Sequence, residues 1–272
     1  MADEDICIVA RQPIPPVKNQ YFGDVNDYVT YGLLRCFAQA GFRIGVCWML
    51  TPDDSRPDGG KVGYLSRPDD WKHHDPGLFA HLSRTLGCAD GRHVRHIEAR
   101  GHIPNARFYG AFVPDSRAQR AVWYRNALAH LKGSDLLFFD PDNGVEIASK
   151  SIGQKDSSKY VYWQELTEGW AHGQSVLVFQ HFPRVKRDDY IHRRVREMQA
   201  RLPGSSVIAL RSSNVLFLLA YRAACSARVS KAVGLTATRW ARRVWMHPCD
   251  PPFPRSESRG ASRRSPTLHP GG

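Results

Sequence analysis

The sequence lacks any apolar run long enough to cross a bilayer: Val215 to Ala220, its longest, falls far short of the roughly 20 residues a transmembrane helix needs. It also lacks the basic, apolar opening of a signal peptide, because Asp3, Glu4 and Asp5 stand there instead. Together these absences predict a cytoplasmic chain with no membrane partner. No Cys-x-x-Cys pair occurs among Cys7, Cys36, Cys47, Cys88, Cys225 and Cys249, which argues against a zinc knuckle and against a disulfide framework and reads them as reduced thiols. The Gly-x-Gly-x-x-Gly fingerprint of dinucleotide sites is missing as well. What the chain does have is a globular balance, 42% hydrophobic and 24% charged residues over 272 positions, enough for one large α/β domain.

Acidic residues are in short supply, and the formal net charge is +12. From Ser226 onward nine basic residues face only Asp250 and Glu257, so more than half of the excess sits in the last segment. The remaining body is mildly basic, which is compatible with a nucleic-acid partner without requiring one.

Periodicity divides the chain into an amino-terminal arm over 1–20, an α/β nucleotide-binding-like domain over 21–225 and a basic tail over 226–272. The proline-rich arm holds one short strand at Ile6 to Val9. Apolar residues at helical spacing predict a helix from Asp27 to Ala40, stopped by Gly41. Arg43 to Leu50 reads as a strand buried on both faces. Asp75-Pro76 opens a helix to Leu86, His93 to Glu98 suggests a short strand, and Ser116 caps a helix to Leu131. Asp135 to Phe139 is the clearest strand, followed by a short helix around Tyr162 to Trp170 and a strand from Ser175 to Gln180. A charged helix from Asp188 to Arg201 precedes Ser206 to Arg211 and Val215 to Tyr221, whose tight link predicts an antiparallel pair. The fold class that follows is an open, mostly parallel Rossmann-like sheet with helices on both faces and an antiparallel edge. After Ala232 the arginine-, serine- and proline-rich composition predicts disorder, with Trp240 and Trp245 available for stacking on nucleic acid.

In such sheets ligands gather at the carboxyl ends of strands, and three of these ends carry dense polar chemistry. Asp140-Pro141-Asp142-Asn143-Gly144 follows the strand Leu136–Phe139, where Asp140, Asp142 and Asn143 are candidate catalytic groups and the residue before Pro141 offers a directed carbonyl. The same residues also make good turn chemistry. Gly23-Asp24-Val25-Asn26-Asp27 precedes the first helix, with Asp24 or Asn26 able to cap it and Gly23, Asp24 and Asp27 as cofactor candidates. Thr51, Asp53 and Asp54 end an early strand, where acids accept ribose hydroxyls. Gln180-His181-Phe182-Pro183-Arg184 offers His181 as general acid or base and Arg184 as an anion clamp. The loop from Lys155 to Tyr160, with Lys159, is a candidate anion cradle or a solvated turn. No metal site is expected from these spacings.

Gly23-Asp24-Val25-Asn26-Asp27-Tyr28-Val29-Thr30-Tyr31 resembles the Gly-Asn-x-Ala-Asp-Val-Leu-Lys-His opening of bacterial large-subunit ribosomal RNA adenine methyltransferases. Asp140-Pro141-Asp142-Asn143 is similar to their Asp-Pro-Pro-Tyr motif. The chain also resembles an uncharacterised bacterial family with Gly-Asp, Asp-Pro-Asp-Asn-Gly and Gln-His elements along Tyr21 to Tyr221. The methyltransferase resemblance implies S-adenosylmethionine as cofactor, with Asp140 accepting from the target amine and an aromatic residue stacking on the base. Here Thr30 and Tyr31 replace the Lys and His, Asp142 replaces the second Pro, and Asn143 replaces the aromatic residue.

Three functions are therefore carried forward. The first is a methyltransferase-like enzyme that uses S-adenosylmethionine on a nucleic-acid amine, with Asp140 and Asn143 at the substrate and Gly23 with Asp53 or Asp54 near the cofactor. The second is a Mg²⁺-dependent nuclease or phosphodiesterase in which Asp24, Asp53, Asp140 and Asp142 gather the metal and His181 is the base. The third is an inert descendant that binds nucleic acid or protein. The oligomeric state is left open.

Overall fold

The computed structural model describes residues 19–52, 60–88 and 92–247. The expected strand at Ile6 to Val9, the acids Asp53 and Asp54, and the chain beyond His247 lie outside the described residues. In chain order the elements are α1 (Val25–Gln39), β1 (Ile44–Cys47), α2 (Pro68–Trp71), α3 (Pro76–Leu86), α4 (Arg95–Glu98), β2 (Ala106–Tyr109) and α5 (Arg117–His130). They continue with β3 (Leu136–Phe139), β4 (Gly144–Val145), β5 (Tyr160–Val161), α6 (Trp163–Ala171), β6 (Ser175–His181), α7 (Arg187–Arg201), β7 (Ser206–Arg211), β8 (Val215–Tyr221), α8 (Ser226–Arg239) and β9 (Trp245–His247).

Seven strands form one sheet in the order β2-β1-β3-β6-β8-β7-β9. The first four are parallel, whereas β8 pairs antiparallel with both β6 and β7, and β9 pairs antiparallel with β7. This is the expected mostly parallel sheet with an antiparallel edge. Its strands read as continuous apolar runs because both faces are covered. Successive residues of β3 show how: Leu136 and Phe138 enter the core shared with α1, α3 and α8, while Leu137 and Phe139 enter the core shared with α5, α6 and α7. All four are at most 2% exposed, and burial of each contributes about 1.5–3 kcal/mol.

Local chemistry sets the helix ends. Asp24 caps α1, its Oδ1 accepting from the amides of Asn26 (2.7 Å) and Asp27 (3.0 Å). Asp75 caps α3 through the Leu78 amide at 3.0 Å, with Pro76 in the first position. Ser116, by contrast, makes no side-chain cap bond at α5.

Two expectations need correction. His93 to Glu98 is not a strand: it contains α4, because Ile97 is its one buried side chain and Arg95 and Glu98 favour helix. The parallel edge is instead β2, a half-exposed strand whose weak apolar pattern concealed it. The second correction concerns the predicted tail. Residues 226–247 are folded: α8 packs on α1, and β9 extends the sheet. Trp240 is 1% exposed, T-shaped against Tyr28 and stacked on His74. It fills a notch at Gly32, where an added Cβ would come within 1.8 Å of the indole. A composition rich in arginine hid a helix with one buried stripe, Val229, Ala232 and Thr236.

Candidate functional site

The register of the parallel strands brings their carboxyl ends to one rim, with Cys47 of β1 opposite Phe139 of β3 and Phe139 opposite Val178 of β6. The segments leaving these ends, with the entry to α1, line a cleft of about 450 Å³. Asp24, Asp27, Thr51, Asp140, Asp142, Asn143, Lys159 and His181 all face it, so acids far apart in the sequence do converge. Gly23 adjoins it in a left-handed conformation (φ 75°), its amide donating to Asp27 and its carbonyl accepting from Tyr64. Arg184 does not take part; it is exposed on the link from β6 to α7.

Most of the acids have structural partners. Asp24 is the α1 cap described above. Asp27 Oδ2 accepts from the Gly23 amide (2.9 Å) and the Tyr31 hydroxyl (2.7 Å). Asp142 Oδ2 accepts from Thr51 Oγ1 at 2.9 Å, which ties the turn after β3 to the turn after β1. Asp140 differs: its amide donates to Cys47 O at 3.1 Å, but its carboxyl accepts no hydrogen bond among the described residues. Burial, reinforced by Asp142 and Asp24, pushes this carboxyl up to about 8. Desolvation also raises Asp24, and desolvation with Asp24 and Asp140 raises Asp27 well above the usual range. His181 is lowered, chiefly by desolvation and also by Lys61, against the opposing pull of Asp142. At neutral pH the cleft therefore holds a neutral Asp140 acid and a neutral imidazole.

The turn after β3 is held from below. Gln180 of β6, 3% exposed, donates Nε2 to Asn143 O (3.0 Å) and accepts at Oε1 from the Val145 amide (2.8 Å). Lys159 is placed by the other side of the loop, where the buried pair Arg120–Glu165 (2.6 Å) anchors β5 and the start of α6. The expected anion cradle at 155–160 is already filled from within: the amides of Asp156 and Ser158 donate to the Asp115 carboxylate at 2.9 and 2.7 Å.

Sequence reasoning missed the aromatic lining. Tyr21, Phe22, Tyr31, Trp48 and Phe179 border the cleft, with Tyr31 and Trp48 in T-shaped contact. Tyr31 and Trp48 fall inside the predicted first helix and first strand and looked like ordinary core. The missing glycine fingerprint also has a structural counterpart, because the turn after β1 places Met49, 1% exposed, at φ 50°. A non-glycine residue there stores strain of about 1–2 kcal/mol at the rim of the site.

Among the described residues no group of three or more His, Cys, Asp or Glu side chains is arranged to hold a metal ion. The partners of Asp24 and Asp142 explain this, since their oxygens are directed at protein donors. A larger cavity of about 730 Å³ lies beside α7. Its lining is cationic, five basic side chains against Glu146 and Glu197, with Glu197 shared between Arg194 (2.7 Å) and Arg193 (3.9 Å). No helix among the described residues is long and apolar enough to cross a membrane. No protein-family profile matches the chain, and no curated protein matches it significantly.

Proposed function

We propose that the chain is a methyltransferase-like enzyme that binds S-adenosylmethionine and acts on an amine placed at Asp140. The observation that carries this reading is the Asp140 carboxyl, without a hydrogen-bond partner among the described residues and pushed up to about 8, at the end of a central strand among three further acids. A bound cation would draw the Asp140 carboxyl back to its charged form, and the aromatic rings add to that attraction, so the cleft suits a sulfonium or an amine. The residues fit the cofactor in charge and in aromatic surface, though they offer no glycine-rich turn for it. When bound, the cofactor supplies an electrophilic methyl group.

The remaining chemistry belongs to the protein. Asp140 Oδ accepts an N–H of the incoming amine and orients its lone pair, and the Asp140 carbonyl, ahead of Pro141, is a second acceptor at the same point. His181, neutral at pH 7, takes up the proton that the amine loses on becoming substituted. Gln180 positions the turn that carries both acceptors. Asp142 orients through Thr51 and does not contact the amine.

Calorimetric titration tests the reading, with S-adenosylmethionine in one arm and Mg²⁺ in the other. Saturable heat with the sulfonium, reduced in Asp140→Asn, supports it. Heat with Mg²⁺ alone would transfer the site to the metal-dependent phosphodiesterase reading, and silence in both arms would leave the cleft to a binding protein.

A further inference from the structure

We infer that a second, cationic cleft beside the acidic one is the subsite for a nucleotide phosphate, so that the amine entering at Asp140 belongs to a phosphate-bearing nucleotide. The inference rests on the reading of Asp140 given above. The two clefts are contiguous, since Asn26 and Lys61 line both. The second, about 310 Å³, is lined by Lys61, Arg67 and Arg243 with the amide side chain of Asn214, and by no carboxylate. The first cleft mixes four carboxyl groups with Lys61 and Lys159, whereas the second holds cations alone.

The cations are arranged to receive an acceptor rather than to serve the fold. Lys61 and Arg67 are exposed and neither side chain has a hydrogen-bond or ion-pair partner among the described residues. Arg243 is preset: its guanidinium lies 3.8 Å over the Trp71 ring, and Nε and Nη2 are held by His74 and the Asp70 carbonyl. Its Nη1 has no acceptor among the described residues. Trp71, 7% exposed, also lines the cleft and supplies the ring on which this guanidinium rests. The fixed guanidinium with its Nη1, and the exposed Lys61 and Arg67, suit the oxygens of a phosphate. The carboxyl groups of the adjoining cleft accept the amino group of a base, so the separation of carboxyl acceptors from cations orients one ligand in one direction.

The test is fluorescence anisotropy of a labelled single-stranded oligonucleotide on the full chain, without S-adenosylmethionine. Arg67→Glu is expected to weaken binding by about tenfold and to lower the slope of log affinity against log salt by about 1–2. Lys132→Glu, an exposed charge just past α5, is the control and is expected to change affinity less than twofold beyond general screening. Competition by adenosine monophosphate but not adenosine assigns the subsite to a free nucleotide's phosphate, and lack of competition by either assigns it to a polynucleotide backbone. Equal weakening by the two reversals, or none by Arg67→Glu, overturns the proposal. Because no cofactor is present, these outcomes stand apart from the success or failure of S-adenosylmethionine binding.

Discussion

Gln180 and Gly144 are fitted to each other so closely that a Cβ on Gly144 would come 2.2 Å from the Gln180 amide nitrogen. Gly144 also sits at φ 110°, a conformation that side chains disfavour. The pair holds the turn that presents Asp140, Asp142 and Asn143, so the glycine is required twice over, by conformation and by space.

Gly144→Ala is therefore expected to destabilise the protein by about 2–4 kcal/mol, from backbone strain and displacement of Gln180. Gln180→Leu, similar in volume, leaves the buried Val145 amide without its acceptor and is expected to cost about 1–3 kcal/mol. Chemical denaturation measures both. Cofactor affinity is expected to fall in both variants at temperatures where they remain folded.

The carboxyl-terminal segment gives a second expectation. Trp240→Ala removes an indole packed against Tyr28, His74 and Gly32 and is expected to cost about 3–5 kcal/mol. Gly32→Ala, which forces the same indole out, is expected to release α8 and β9 to limited proteolysis while the parallel strands stay protected. Equal protection of residues 226–247 in wild type and variant would contradict this packing.

How much of this was legible in the sequence differed by element. Doubly buried strands such as Leu136–Phe139 and capped helices such as Asp75–Leu86 announce themselves because their signals are local. A convergence of Asp24, Asp53 and Asp140 was expected from strand ends and the entry to the first helix; Asp24 and Asp140 do share the cleft, and Asp53 lies outside the described residues. The separate roles of the acids were not foreseen, since hydrogen bonds such as Thr51 to Asp142 span 91 residues. The aromatic lining and the fit of Trp240 into Gly32 escaped for the same reason: they exist only between elements. Composition misled at 226–247, where a single buried tryptophan outweighs a run of arginines.

A third prediction concerns the buried pair. Arg120 and Glu165 are 2% and 3% exposed and joined by two hydrogen bonds of 2.6 and 2.9 Å. Glu165→Leu leaves the guanidinium charge buried without compensation and is expected to cost about 3–5 kcal/mol. The double variant Arg120→Met with Glu165→Leu is expected to recover most of that loss. An additive double variant, measured by denaturant unfolding, would show that the pair is not coupled.

The fourth follows from the acid cluster. The folded-state pKa of Asp140 lies above the unfolded value, so the native state binds the extra proton. Its contribution is most favourable below pH 4 and is lost progressively as pH rises to about 8, where the carboxylate forms among Asp142 and Asp24. Asp140→Asn is therefore expected to raise the melting temperature more at pH 9 than at pH 5. An equal gain at both values would contradict the raised pKa.

The proposal turns on Asp140 as a buried acid, without a hydrogen-bond partner among the described residues, that receives a cationic ligand, and carboxyl ¹³C titration by NMR reads it directly. The account predicts that Asp140 titrates near pH 8 in the free protein and shifts clearly downward with saturating S-adenosylmethionine. Titration near 4 in the free protein, or a midpoint that the sulfonium leaves unmoved, would contradict it.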